Sequence, residues 1–382
     1  MNSYVSINSW CTRTMLRINK KKSFSLLPAV IILLSALLTQ TFGAVQTSTV
    51  IPFSGSVTYQ PTPIPNTTST LTGFGSDYCV FYDSGNPERW LNYVSQMQKW
   101  KSLGFTTYRL GFVFENSPVE PRGSHGSSVY TSEKLNKVLE IFDTIGLRVI
   151  MMLQNNYDCQ YYIGSSGWRT SWLDLVQTFK GDTRLAAVAL FSEPQNNQNT
   201  NTPWAAYSTW SPKITTRFQL QEEFTSLTKE IHEIDPNRIV IYPYPAFQYD
   251  NYDDWFTDLQ LTGILNEPNV VFDVTHPYFM ENEWDMGMTP TQKAAWYANK
   301  HILPSVDFFG SDKVWCGETF AWVGDTVADV PATEALQTEW ITAIVNQFSS
   351  YNMSFNIWDT IPGSTGGRWA RTEPAIYASN YL

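Results

Sequence analysis

The sequence predicts an α/β protein folded as a (β/α)8 TIM barrel, and three observations predict it. Short apolar runs alternate with longer stretches whose apolar residues recur at helical spacing. The runs are apolar throughout, as strands of a parallel sheet covered on its outer side must be. Eight such β–α units fit in about 310 residues, which suits a closed barrel better than an open doubly wound sheet. No Gly-rich dinucleotide fingerprint follows the first strand.

The elements follow in order from residue 71, with strands expected near residues 72, 106, 148, 186, 238, 270, 313 and 354. Gly104 precedes the second run, Phe105–Phe112. Leu135, Val138, Leu139, Phe142 and Ile145 then line one helix face, and Gly146 closes that helix before Leu147–Leu153. Trp172–Phe179 reads as helix and Leu185–Phe191 as strand. Leu220, Phe224, Leu227, Ile231 and Ile234 share a helix face that ends at Asp235-Pro236-Asn237. Arg238–Tyr242, Val270–Thr275, Lys313–Cys316 and Met353–Ile357 complete the strands, with helices over 289–303 and 331–351.

The N-terminal region has a different character. Lys20, Lys21 and Lys22 precede the 13-residue apolar stretch Leu26–Leu38, and Thr41 and Gly43 are small residues at a cleavage position. That is the layout of a secretory signal peptide over 1–44, since a membrane span needs about 20 apolar residues. Met15 is an alternative start. Residues 45–70 are rich in Ser, Thr and Pro and read as an arm or linker before a catalytic domain over 71–382. Asn66-Thr67-Thr68 is a glycosylation acceptor pattern.

Composition narrows the partners. The chain has 25 basic and 35 acidic side chains; losing residues 1–44 with their five basic groups leaves a net charge of −15. Such a surface disfavours nucleic acid and anionic lipid and tolerates a neutral polymer. The 15 Trp, 20 Tyr and 22 Phe suit both a large core and stacking on sugar faces. Of the four cysteines, Cys79, Cys159 and Cys316 lie beyond the leader, and a Cys79–Cys159 bridge is open in an oxidising compartment. Cys316 reads as a buried thiol on the same side of its strand as Glu318, deeper in the barrel. The histidines, His125, His232, His276 and His301, are scattered with no ligand pair at helical spacing, so neither metal nor cofactor is expected.

Catalytic groups of such barrels sit at the C-terminal ends of the strands. The fourth strand ends in Phe191-Ser192-Glu193-Pro194 and the seventh in Trp315-Cys316-Gly317-Glu318-Thr319. Two glutamates facing each other across a cleft are what glycosidic hydrolysis requires: one protonates the leaving oxygen and the other meets the anomeric carbon. These features resemble glycoside hydrolase family 5 over about residues 71–360. Tyr108-Arg109-Leu110 is similar to its strand-two motif, Ser192-Glu193-Pro194 to its Asn-Glu-Pro, His276-Pro277-Tyr278 to its His-x-Tyr, and Gly317-Glu318 to its nucleophile motif. Trp358 resembles the tryptophan beneath the −1 sugar.

The resemblance implies a retaining mechanism with Glu193 as acid/base and Glu318 as nucleophile. It implies that Arg109 and Tyr278 hold Glu318 ionised, and that His276 bonds to substrate or to Glu193. Two positions depart from the family pattern. Ser192 replaces the Asn that bonds the sugar 2-hydroxyl, and Gln154, before Asn155, stands where the family usually has a histidine. Gln154, Asn155, Ser192 and Trp358 are carried as substrate-binding candidates with Arg109, His276 and Tyr278. Asp77, Tyr78, Tyr82, Asn156, Trp284, Trp322 and Trp369 lie near the same face.

A literal Asn266-Glu267-Pro268 also occurs, but it precedes the run Val270–Val274 and so belongs to the opposite end of the barrel. Three readings remain open here. The first is an endo-acting hydrolase of a β-1,4-linked polysaccharide, cellulose or β-glucan, with β-mannanase as a variant. The second is a sugar-binding barrel without catalysis. The third is an unrelated metal-dependent barrel enzyme. The partner expected in the first reading is a polysaccharide or oligosaccharide, with no nucleic acid and no membrane after leader cleavage.

Overall fold

A computed structural model gives the architecture. It describes residues 71, 73–76, 95, 97–114, 129–130, 132–153, 163–192, 194, 213–243, 252–279, 287–321 and 334–358. The expected leader and arm, Cys79, Cys159, Gln154, Asn155 and Glu193 lie outside the described residues, as do the further aromatic and polar candidates named with them.

Eight parallel strands close a ring. They are β1 (Gly73–Ser76), β2 (Thr107–Phe114), β3 (Arg148–Leu153), β4 (Leu185–Ala189), β5 (Ile239–Tyr242), β6 (Val270–Thr275), β7 (Val314–Ala321) and β8 (Ser354–Trp358). Each pairs with its sequence neighbour, and β1 pairs with both β2 and β8, so the sheet has no free barrel edge. Short strands Val129–Tyr130 and Tyr278–Phe279 pair in parallel beside the ends of β2 and β7. The eight expected strand positions each carry a strand.

Helices cover the ring: α1 (Ser132–Ile145), α2 (Ser166–Thr178), α3 (Arg217–Ile234), α4 (Tyr252–Thr262), α5 (Pro290–Tyr297), α6 (Leu303–Phe309) and α7 (Glu334–Ser350). At the end of α1, Gly146 takes φ +80°, and the Leu147 N–H returns to the Phe142 carbonyl at 2.9 Å. α2 begins six residues before the expected Trp172. Ser165 caps it by accepting the Trp168 N–H, which lets the polar first turn join the helix. The expected helix over 289–303 starts with a Thr289–Gln292 capping box and then runs on to Phe309. It continues through a π segment, Ala298–Ile302, which wraps an extra residue into a turn just before Pro304, a residue with no N–H to give to the helix ladder.

Two apolar layers result. Ile150, Met152, Ala186, Ala187, Ala189, Ile239, Ile241, Val271 and Trp315 pack together with Leu71 and with no residue of the covering helices, so they fill the barrel. The Leu71 carbonyl accepts from Thr107 Oγ1 at 3.2 Å and Trp315 Nε1 at 3.3 Å, which fixes the N-terminal plug. The alternate strand residues pack outward against the helices, among them Val270, Phe272, Val274, Val314 and Cys316. Cys316 therefore faces the helix layer and not the barrel interior. Its thiol is fully buried, and burial pushes it well above the ordinary cysteine range.

Candidate active site

β7 runs through Glu318 to Ala321, so the glutamate stands inside the strand and not beyond its end. The pairing of β7 with β8 slips between Cys316 and Thr319, where three steps on β7 face two on β8. This bulge breaks the alternation of β7. Trp315 points into the barrel and Cys316 outward, yet Glu318 is turned toward the residues of β2 and β4.

The Glu318 side chain is 8% exposed and sits in a ring of polar groups. Arg109, third in β2 and itself 1% exposed, places Nη2 2.6 Å from Glu318 Oε1. The same Nη2 reaches Ser192 Oγ at 3.2 Å and the Met152 thioether, while Nη1 donates to the Gly317 carbonyl at 3.0 Å. Ser192, just past β4, donates its hydroxyl proton to Glu318 Oε1 at 3.0 Å. Where the family resemblance led to an Asn facing sugar, this serine gives its one donor to the carboxylate. His276, just past β6, holds Nδ1 4.0 Å from Glu318 Oε2.

Burial alone would push the Glu318 carboxyl up. The charges of Arg109 and His276, with hydrogen bonds from Arg109 and Ser192, outweigh it, and the group lies below the ordinary carboxylate value. A buried carboxylate that stays ionised is equipped to act as a nucleophile or electrostatic stabiliser, not as a proton donor.

Asp273 is the residue that sequence reasoning missed. Its Oδ2 lies 2.7 Å from His276 Nε2, and its Oδ1 accepts the Gly317 N–H at 2.9 Å. A signal existed: one acid stands inside the otherwise apolar strand Val270–Thr275, three residues before the histidine. His276 Nε2 is engaged with Asp273, and Glu193, one partner expected for the histidine, lies outside the described residues. Gly317 is needed for this approach. A Cβ there would stand 2.1 Å from Asp273 Oδ2 and 2.6 Å from His276 Nε2.

The other candidates are placed as follows. Tyr278 lies two residues beyond His276 in the short strand paired with the end of β7. Its described contacts are the Tyr297 ring and the Lys293 ammonium, 4.8 Å over its own ring. Trp358 ends β8 opposite Gly75. Glu267 comes three residues before β6, at the N-terminal end of the barrel, with its Oε2 3.6 Å from His232 Nδ1. Among the described residues no group of three or more His, Cys, Asp or Glu side chains is arranged to hold a metal ion.

Comparison with known proteins bears on the fold. No family profile matches the sequence, and no curated protein matches it. Solved structures do. A broad-specificity endoglucanase of family 5, subfamily 4, from an uncultured bacterium superposes with a TM-score of 0.55 at 12% identity, over 82% of this chain and 95% of that one. A family 5 xyloglucan-specific endo-β-1,4-glucanase from a metagenomic library, solved with cellotriose, gives 0.55 at 14% identity, over 80% and 95%. The cellulose synthase subunit Z of Clostridioides difficile gives 0.52 at 16% identity, over 81% and 98%. The chain shares the (β/α)8 barrel fold of these structures. In such barrels active sites sit at the C-terminal ends of the strands, and β2, β4, β6 and β7 bring Arg109, Ser192, His276 and Glu318 together there.

Proposed function

We propose that this protein is a secreted, retaining endo-β-glycoside hydrolase that cleaves a β-1,4-linked polysaccharide of the cellulose or β-glucan type. The observation that carries the reading is Glu318: a buried carboxylate held ionised by Arg109, His276 and Ser192. The resemblance to endo-β-1,4-glucanases in fold, the acidic surface and the basic-then-apolar leader support the substrate class and the route of export.

In this mechanism Glu318 attacks the anomeric carbon while Glu193 gives its proton to the leaving glycosidic oxygen. The C1–O bond breaks and a glycosyl ester forms on Glu318. Glu193, now a carboxylate, takes a proton from water. The hydroxide oxygen displaces Glu318 from C1 and restores both groups, so the configuration is inverted twice and retained. Arg109 and His276 stabilise the anion of Glu318 before attack and after release.

Release of reducing ends from a panel of glucans and mannans, with Glu318→Ala as control, tests the function. Activity on β-1,4-glucans that vanishes in the variant is expected. A preference for mannan would move the substrate to the mannanase reading, and binding without cleavage would leave a sugar-binding barrel. A second comparison tests the proton donor: Glu193→Gln should abolish activity on unactivated polymer, whereas Glu267→Gln should leave it nearly intact. The reverse result would overturn the choice of Glu193.

A further inference from the structure

We propose that Asp273 is a positioning residue for Glu318, acting through His276. The inference rests on the hydrolase reading but adds a residue and a physical role to it. Asp273 belongs to the inward-facing set of β6 with Val271. Its two carboxylate oxygens serve two different parts of the site. Oδ1 accepts the amide proton of Gly317, the residue before the nucleophile, at 2.9 Å, so it ties β6 to the bulged part of β7. Oδ2 faces His276 Nε2 at 2.7 Å. A carboxylate oxygen can only accept, so the proton stays on Nε2 and Nδ1 is turned to Glu318 Oε2 at 4.0 Å.

The imidazole thus lies between two acidic side chains, one at each nitrogen. Two anions flanking one ring favour its doubly protonated form. That cation is one of the charges that lower Glu318. Among the described residues, the other titratable groups at this set are Arg109, which bonds to Glu318 on its other oxygen, and the neutral thiol of Cys316, whose Sγ donates to the Glu318 carbonyl at 3.2 Å. Without Asp273 the imidazole loses the partner that stabilises its charge and fixes its ring nitrogen, and among the described residues Glu318 then rests on Arg109 and Ser192.

The geometry also explains why the approach is so close. Asp273, His276 and Gly317 occupy a space that a single extra Cβ at Gly317 would enter. The β6–β7 pairing slips between Asp273 and Thr275, which puts the extra residue of β6 immediately before the turn to His276. The slip brings a side chain three residues upstream within hydrogen-bond reach of the histidine ring.

The test uses Asp273→Asn in the full chain and reads ionisation directly. The chain has four histidines, so imidazole nitrogen NMR can follow His276 through a pH titration. A carboxyl-carbon spectrum, assigned by its loss in Glu318→Gln, follows the nucleophile. In Asp273→Asn, His276 is expected to lose its second proton at a pH lower by at least about one unit, and Glu318 to titrate at higher pH. The acid limb of kcat/KM moves up with it, and kcat falls by roughly 10²-fold while KM changes little. Should Asp273→Asn fail to fold, His276→Gln serves as the second variant and must raise the titration of Glu318 likewise. Added to His276→Gln, the Asp273 change is expected to cost less than about twofold further. Unchanged titration of both groups, or a full multiplicative loss in the double variant, overturns the proposal. A protein in which the NMR shifts appear but no polymer is cleaved keeps the Asp273–His276–Glu318 coupling and loses the hydrolase reading.

Discussion

The ion pair of Arg109 with Glu318 is buried on both sides, so its two members depend on one another. Replacing Arg109 with Met removes one charge and strands the other in a dry site. Breaking such a pair costs about 3–5 kcal/mol, and the carboxyl recovers by taking up a proton. Arg109→Met is therefore expected to lose activity by several orders of magnitude at neutral pH while chemical denaturation shows a smaller loss than the full penalty. Wild-type activity in that variant would show that Glu318 is not held as an anion by this contact. Gly317→Ala tests the same residues sterically. The added Cβ separates Asp273 from His276, so a loss of stability of about 1–3 kcal/mol accompanies a larger loss in kcat. Of this constellation, Arg109, Ser192, His276 and Glu318 were legible because each lies in or beside an apolar run with a recognisable neighbour. Asp273 was not, because an acid inside a strand is read as a blemish in the apolar pattern until its partner on the next element is known.

At the scale of elements, the helical segment after β6 carries a second titratable feature. His301 lies in the π segment, 9% exposed, packed among Tyr252, Trp296 and Tyr297. Burial, with a smaller contribution from Lys300, lowers it from 6.5 to about 4. Its folded value is thus below its unfolded one. Above about pH 6.5 the group is neutral in both states and costs nothing. As pH falls from there toward 4, the unfolded chain binds a proton that the folded chain refuses, and stability declines by about 3 kcal/mol in all. Urea unfolding at pH 7 and pH 4.5 is expected to show this difference, and His301→Phe to reduce it. An equal decline in the variant would assign the acid sensitivity elsewhere. The helices themselves were legible by spacing, while their ends depended on local chemistry. Ser165 extends α2 backward through a cap, and the π segment carries the next helical run past Pro304, neither of which apolar periodicity records.

For the whole molecule, the eight-fold alternation was legible because the described side chains of the barrel strands are buried on both sides and are mostly apolar. The direction of the strands was legible too, and it separates Glu267 from Glu318 at opposite ends of the ring. What spacing could not supply were the register slips on β4, β6 and β7, because a bulge depends on the partner strand and leaves no trace in periodicity. The slip on β7 comes after the outward-facing Cys316 and aims Glu318 at Arg109 and Ser192. The central claim is that Glu318 attacks the sugar as an anionic nucleophile. Proton NMR of the reaction mixture in its first minutes, with a soluble β-1,4-gluco-oligosaccharide as substrate, reads the anomer released before mutarotation blurs it. The account predicts the β-anomer first, with Glu318→Ala releasing none. The α-anomer first would contradict it, because only a single displacement by water yields that product.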